Sequence, residues 1–516
     1  MACFLIWILS FAIWISVSGC GTISSPAASS SPSATLTSTP TVSATTTSTP
    51  STSATTSATP TSTATSTASA TASPTGTTTT ATLTPSPTPT PTPTPTPVIG
   101  ALFFYPGASS TEAPSLEVAI TCETAGVTIK YTTDESNPLT SGTAFIYSGL
   151  ITLESSKIIR VAATKEGFLP STSESWYDLY WWQAVGGGTN SSVLSFAYDQ
   201  ANDNLYVGGE FTQAGVANAN RVAKWNGSTW EALGAGSNFH VDTLTFDGTN
   251  LYAGGGFSLG TFSYCSIWNG SFWARVTDEA DNNLNGFALA STYNSSDSAI
   301  YVGGGFPSIG TVDAVSIAKW DGTNWISLEA GTNGTVFSLA FDSANNLFAG
   351  GGFTTAGGVT ANNIAKWDGS IWTSIESATV NGVNGAVRAL LFDDVSQYLY
   401  VGGSFSTAGP DVVNRVVATN GVSWTGLGNG FNSTVYSFAK GLDQTIYCGG
   451  EFTFSGAQPI NYISRFVGSA WEEVGGGMDG SVRALLTDKH GNIYAGGEFT
   501  TAGGVPCVGI AKWGRK

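Results

Sequence analysis

One pattern constrains this chain more than any other. The string (Leu/Ile)-(Tyr/Phe)-x-Gly-Gly-x-Phe occurs seven times, with its Phe at Phe211, Phe257, Phe306, Phe353, Phe405, Phe452 and Phe499, at spacings of 46, 49, 47, 52, 47 and 47 residues. Each interval reads as four short strands. The first is of the type Val336-Phe337-Ser338-Leu339, and the second carries the two glycines. The third is of the type Ile364–Trp367, and the fourth starts at a Trp such as Trp372. Asn226-Gly227, Asn269-Gly270, Asp321-Gly322, Asp368-Gly369 and Asn420-Gly421 separate the last two strands. Such dipeptides predict two-residue hairpin turns with positive φ at both positions. Four antiparallel strands per repeat is the size of one β-propeller blade. Trp182-Gln183-Ala184-Val185-Gly186 matches the fourth strand Trp230–Gly234 but precedes the first repeat, whereas the last repeat stops at Trp513. The expected fold is therefore all-β: a seven-bladed propeller over 181–516 whose N-terminal strand completes the last blade and removes two open sheet edges.

Composition narrows the chemistry. Of 516 residues only 10% are charged, and the formal net charge is −17 with 18 Lys plus Arg. Binding nucleic acid through phosphates needs concentrated positive charge, so no nucleic-acid partner is expected. With two histidines, His240 and His490, there is no zinc-type spacing and too few ligands for a copper-radical oxidase of propeller type. No Ser/His/Asp set is specified. No metal or cofactor is expected.

Residues 1–19 have the length and apolar run of a signal peptide. Val17-Ser18-Gly19-Cys20 resembles a bacterial lipobox, which implies lipidation at Cys20 and a partner in the lipid bilayer; the missing Lys or Arg ahead of the apolar run departs from that pattern. The region 20–97 is a linker of Ser, Thr, Pro and Ala that ends in alternating Pro-Thr. It lacks the apolar surface needed to offset ordering entropy, and so predicts a disordered, partly extended stalk. The expected location is the bacterial cell envelope, exported and surface-exposed.

Between 98 and 180, alternating runs such as Leu116–Ile120, Val127–Tyr131 and Lys157–Val161 predict a small β-sandwich. Thr128-Ile129-Lys130-Tyr131-Thr132-Thr133-Asp134, Asn137-Pro138 and Ile158–Ala163 resemble the C-terminal accessory domain of chitobiases and β-hexosaminidases, with Glu135 standing where that pattern has Gly. The resemblance implies a non-catalytic spacer. Over 182–513 the Gly-Gly strand and the later Trp resemble kelch-like propellers, although Phe after Gly-Gly-x and Ile-Ala-Lys-Trp both depart from kelch usage. Propeller functions are diverse, so the resemblance names no activity.

Three sets of residues are candidates for function. Positions that vary between repeats are not dictated by packing, and those at the start of the strand nearest the expected channel are Leu194, Asp242, Asn285, Phe337, Arg388, Tyr436 and Arg483. Asp242, Asn285, Phe337, Arg388, Tyr436 and Arg483 make a mixed binding surface at the channel mouth. Glu210, Glu451 and Glu498 replace the third glycine in three blades that neighbour one another on a closed ring, making an acidic sector that binds a cation or raises a pKa. Asn190, Asn238, Asp281, Asn333, Asn384, Asn432 and Asp479 recur before each inner strand and suit turn-setting hydrogen bonds to backbone. The regular Trp series suits inter-blade packing, and Cys448 reads as a small buried apolar residue. No disulfide is assigned among Cys122, Cys265, Cys448 and Cys507. The function expected is that of a non-enzymatic cell-surface lipoprotein binding protein or glycan. The alternative is a polysaccharide hydrolase using the acidic sector as acid and base.

Overall fold

The computed structural model describes residues 94–259, 262–278, 283–377 and 380–516. The signal segment 1–19, Cys20, nearly all of the linker and Asp281 lie outside the described residues. The described residues from 94 onward belong to one compact unit. It is all-β, built from many short antiparallel sheets.

The N-terminal part is a small β-sandwich. Strands β1 (Leu102–Tyr105), β2 (Ser109–Thr111), β3 (Leu116–Cys122), β4 (Thr128–Thr132), β5 (Phe145–Ile146), β6 (Ile151–Leu153), β7 (Lys157–Thr164) and β8 (Ser171–Ala184) divide into two layers. One layer is β1-β3-β6, and the other contains β5-β4-β7-β8 with β2 beside β8. Alternation sends Val118, Ile120, Ile159, Val161, Tyr177 and Leu179 into the core between them.

Six four-stranded sheets follow the order of the repeats, and the seventh repeat forms one end of an eight-stranded sheet that continues through β8 into the sandwich. Their leading strands are Val193–Asp199, Val241–Phe246, Phe287–Asn294, Thr335–Phe341, Val387–Asp393, Val435–Lys440 and Val482–Thr487. Each leading strand touches the next, and the seventh touches the first. The glycine pair explains this closeness. A Cβ at Gly350 would lie 2.4 Å from Cγ1 of Val387 in the following sheet, and one at Gly351 would lie 2.1 Å from the carbonyl oxygen of Thr335 in its own leading strand. The same relation joins Gly496 of the seventh sheet to Val193 of the first. The Phe that ends each motif is fully buried in all seven sheets.

The fourth strand of the seventh sheet is the C-terminal half of β8. It pairs with Ile510–Arg515 in the register Ala511↔Ala184 and Trp513↔Trp182. The N-terminal half of β8 pairs with β7 in the small sandwich. A boundary at 180/181, expected from the change in pattern, therefore falls inside one continuous strand. The Lys516 N–H donates to the Leu179 carbonyl at 2.8 Å, and Ser156 donates to the Lys516 carbonyl at 2.7 Å.

The hairpins between third and fourth strands differ from expectation. Trp225 pairs with Trp230, leaving a four-residue loop. Asn226 Oδ1 accepts the backbone N–H groups of Ser228 and Thr229 at 3.0 and 2.9 Å, and only Gly227 of the dipeptide has positive φ. Asp321 and Asp368 act alike. A carboxylate or amide that mimics a turn carbonyl satisfies two N–H groups, so the loop needs only one residue with positive φ. The sixth sheet does use a two-residue loop, Gly468-Ser469.

Candidate functional site

The mouth residues owe their position to an irregularity repeated in every sheet. In the fourth, Val336 pairs with Gly351 and Ser338 with Gly350, which leaves Phe337 unpaired as a β-bulge. The same shift leaves out Leu194, Asp242, Leu289, Arg388, Tyr436 and Arg483. A bulged residue has no ladder partner, and the kink re-aims its side chain. Leu194, Leu289, Phe337, Arg388, Tyr436 and Arg483 all line one cavity of about 320 Å³, together with Ser195, Ser338 and Ser437.

Two expected residues do not line this cavity. Asp242 is bulged but contacts His240 instead. Asn285 is not at the mouth: its Oδ1 accepts the Ser308 N–H at 3.3 Å and its Nδ2 donates to Ser308 Oγ at 2.9 Å. That is the turn-setting role of Asn190, Asn333, Asn384, Asn432 and Asp479, each accepting two consecutive backbone N–H groups of the adjoining hairpin. The third sheet carries Ala288 where all six others have Val, so the sequence pattern points instead to a strand start at Leu284. Leu289 is the residue at the mouth.

The mouth contains two cation–ring pairs. The Arg388 guanidinium sits 3.9 Å from the centroid of Phe337, and that of Arg483 sits 4.2 Å from Tyr436. Arg483 is also ion-paired with Glu498 at 2.8 Å and Glu451 at 3.3 Å. The Tyr436 hydroxyl donates to Glu451 Oε1 at 2.6 Å. Burial, and then this hydrogen bond, push the Tyr436 phenol above its ordinary range. Desolvation, reinforced by the charge of Arg483 and opposed by Tyr436 and Glu451, holds Arg388 below its ordinary value.

The structure thus joins Glu451 and Glu498 through a guanidinium, which offsets the like-charge repulsion expected of an acidic sector. Glu210 acts elsewhere. Its charge, together with a 2.7 Å contact from Asp242 to His240 Nδ1, raises the His240 pKa, the contact to Asp242 being the larger cause. Among the described residues no group of three or more His, Cys, Asp or Glu is set to hold a metal ion.

The Trp series joins successive sheets. The indole N–H of Trp230, Trp273, Trp325, Trp372, Trp471 and Trp182 each donates to a carbonyl at the end of the preceding sheet, at 2.8 to 3.3 Å. Trp424 has no such acceptor. The chain just before its sheet carries the additional hairpin Glu376–Ser377 and Val380–Asn381, which accounts for part of the long 52-residue interval. Cys265, Cys448 and Cys507 are buried, Cys122 is half-buried, and all four are free thiols.

The class that these elements define is an all-β protein with a small sandwich leading into a set of four-stranded sheets. Residues 106–175 match the chitobiase/beta-hexosaminidase C-terminal domain family. No curated protein matches the chain. Among solved structures, the chain is similar to one described as the extracellular domain of the hybrid two component system BT4673 from B. thetaiotaomicron, at 13% identity and a TM-score of 0.43 over 65% of this chain and 40% of that one. It is also similar to the corresponding domain of BT3049 from the same organism, at 13% identity and a TM-score of 0.42 over 65% of this chain and 42% of that one. The chain therefore spans less than half the length of these structures.

Proposed function

We propose that the seven sheets form a seven-bladed β-propeller that serves as a non-enzymatic binding module, holding a protein or glycan partner at the mouth of its central cavity. The observation that carries this reading is the bulge repeated in all seven leading strands, with the bulged residues of six of them lining one cavity. Packing and turn positions recur from sheet to sheet, whereas the bulged position ranges over Leu, Asp, Phe, Arg and Tyr. Variation on a repeated scaffold is how such folds carry function. The cyclic contact of leading strands and the entry of β8 into the seventh sheet support the ring.

In this reading Cys20 bears the lipid anchor, the Ser/Thr/Pro-rich region is a stalk, and the sandwich is a rigid spacer at the bacterial surface. A hydrolytic role for Glu451 and Glu498 is disfavoured because Arg483 engages both carboxylates. The test is capture of envelope proteins and glycans by the full chain. Replacing Arg388, Tyr436 and Arg483 together by Ala is expected to abolish capture, and unchanged capture overturns this choice of face. Cys20→Ala is expected to abolish palmitate labelling.

A further inference from the structure

Arg388 and Arg483 occupy the same position in their sheets, yet their charges are met differently. Arg483 has two carboxylates. Among the described residues, the Arg388 guanidinium has no hydrogen-bond or ion-pair partner; the ring of Phe337 lies against it, and Arg483 and Glu451 act on it at longer range. Arg388 is exposed, so its five N–H donors, in a planar fork that matches a carboxylate, face solvent and are open to a ligand. A second polar group in the same cavity is also unmet. Ser195 is 9% exposed, and its hydroxyl has no hydrogen-bond partner. That oxygen is closed off from solvent, so it marks a polar spot behind the cavity wall and leaves Arg388 as the group open to a ligand.

We propose that the cavity receives a carboxylate carried on a short apolar stem, an acidic or C-terminal group of a polypeptide partner, with Arg388 as its receptor. This rests on the binding-face reading above and names its chemistry. Leu194 and Leu289 supply aliphatic wall to the same cavity. The aromatic rings are poorly placed for stacking on a sugar, because Phe337 and Tyr436 each already have one face against a guanidinium. An aliphatic acid therefore suits the cavity better than an acidic sugar does. The volume of about 320 Å³ is at the small end of ligand sites and suits a chain end or single side chain.

The test uses the full chain and three probes, followed by ligand-observed NMR titration: N-acetylleucine, its neutral isostere N-acetylleucinamide, and galacturonate. N-acetylleucine is expected to bind at least tenfold more tightly than the amide and than galacturonate. Arg388→Gln is expected to lower its affinity at least tenfold, and Arg388→Lys to restore part of the loss. Equal binding of acid and amide, no binding of the acid, or unchanged affinity in Arg388→Gln overturns the proposal. Tighter binding of galacturonate also overturns it, in favour of a glycan acid. If N-acetylleucine fails while the triple substitution still abolishes envelope capture, the carboxylate chemistry falls and the binding face stands. If both fail, both readings fall.

Discussion

Trp182 and Trp513, from opposite ends of the repeat region, are directly paired across two adjacent strands, with their indole rings 5.4 Å apart. Trp182 is 1% exposed, and its indole N–H donates to the Val474 carbonyl in the sixth sheet at 3.1 Å. One side chain thus ties the start of the repeats to their last two sheets. Trp182→Ala removes a large buried side chain and leaves a carbonyl without its donor. The expected cost is about 3–5 kcal/mol, read as a lower urea midpoint. A loss under about 1 kcal/mol would mean that β8 does not hold the seventh sheet in solution.

Two neighbouring glycines separate close approach from mere small size. A Cβ at Gly304 would lie 1.9 Å from the Phe287 carbonyl oxygen, whereas one at Gly305 meets nothing nearer than 3.6 Å, and neither residue has positive φ. Gly304→Ala must push backbone from backbone and is expected to cost about 2 kcal/mol or more. Gly305→Ala should stay within about 0.5 kcal/mol of the parent. Comparable melting temperatures for the two variants would refute the explanation given for the Gly-Gly pair.

His240 supplies a pH dependence with a defined sign. Its bond to Asp242 raises its folded pKa above the ordinary 6.5. The protonated form is therefore favoured by folding. This contribution is fully present below the unfolded value and is lost as pH rises through the folded one. A proton NMR titration should place the His240 resonance above 6.5, and Asp242→Asn should bring that resonance down. An unchanged titration in the variant would exclude Asp242 as the cause.

The thiols offer a probe of unfolding. Burial pushes Cys265 up to about 12 and Cys507 up to about 11, and it raises Cys448 as well. Since the thiolate is the reacting species, these three should resist an aromatic disulfide reagent at pH 8 and react together as the chain unfolds in urea. Fast labelling of Cys265 or Cys448 in the native protein would contradict their burial.

Much of the fold is legible from residue order because its signals are local. The recurring Gly-Gly-x-Phe string, period-two alternation in strands such as Val482–Thr487, and the unmatched strand at Trp182 are each visible within a few residues. The hairpin prediction failed at a finer level. Asn226 and its equivalents use their side chains as turn acceptors, a choice that the dipeptide alone does not distinguish from a two-residue turn. The alignment of the third repeat failed because Ala288 lacks the branched side chain that marks the strand start elsewhere, and so Leu289 was missed.

The linear order of residues was sufficient to determine strands, their grouping in fours and the origin of the last edge strand, since hydrophobic period and turn chemistry act between near neighbours. Only the folded chain decided that Phe337 and its counterparts are bulged residues, because a bulge is a mismatch between two paired strands and belongs to neither alone. It likewise decided that Arg483 meets carboxylates while Arg388 meets a ring. Charge partners are set by which sheets stand side by side, and equivalent positions in a repeat carry no record of that.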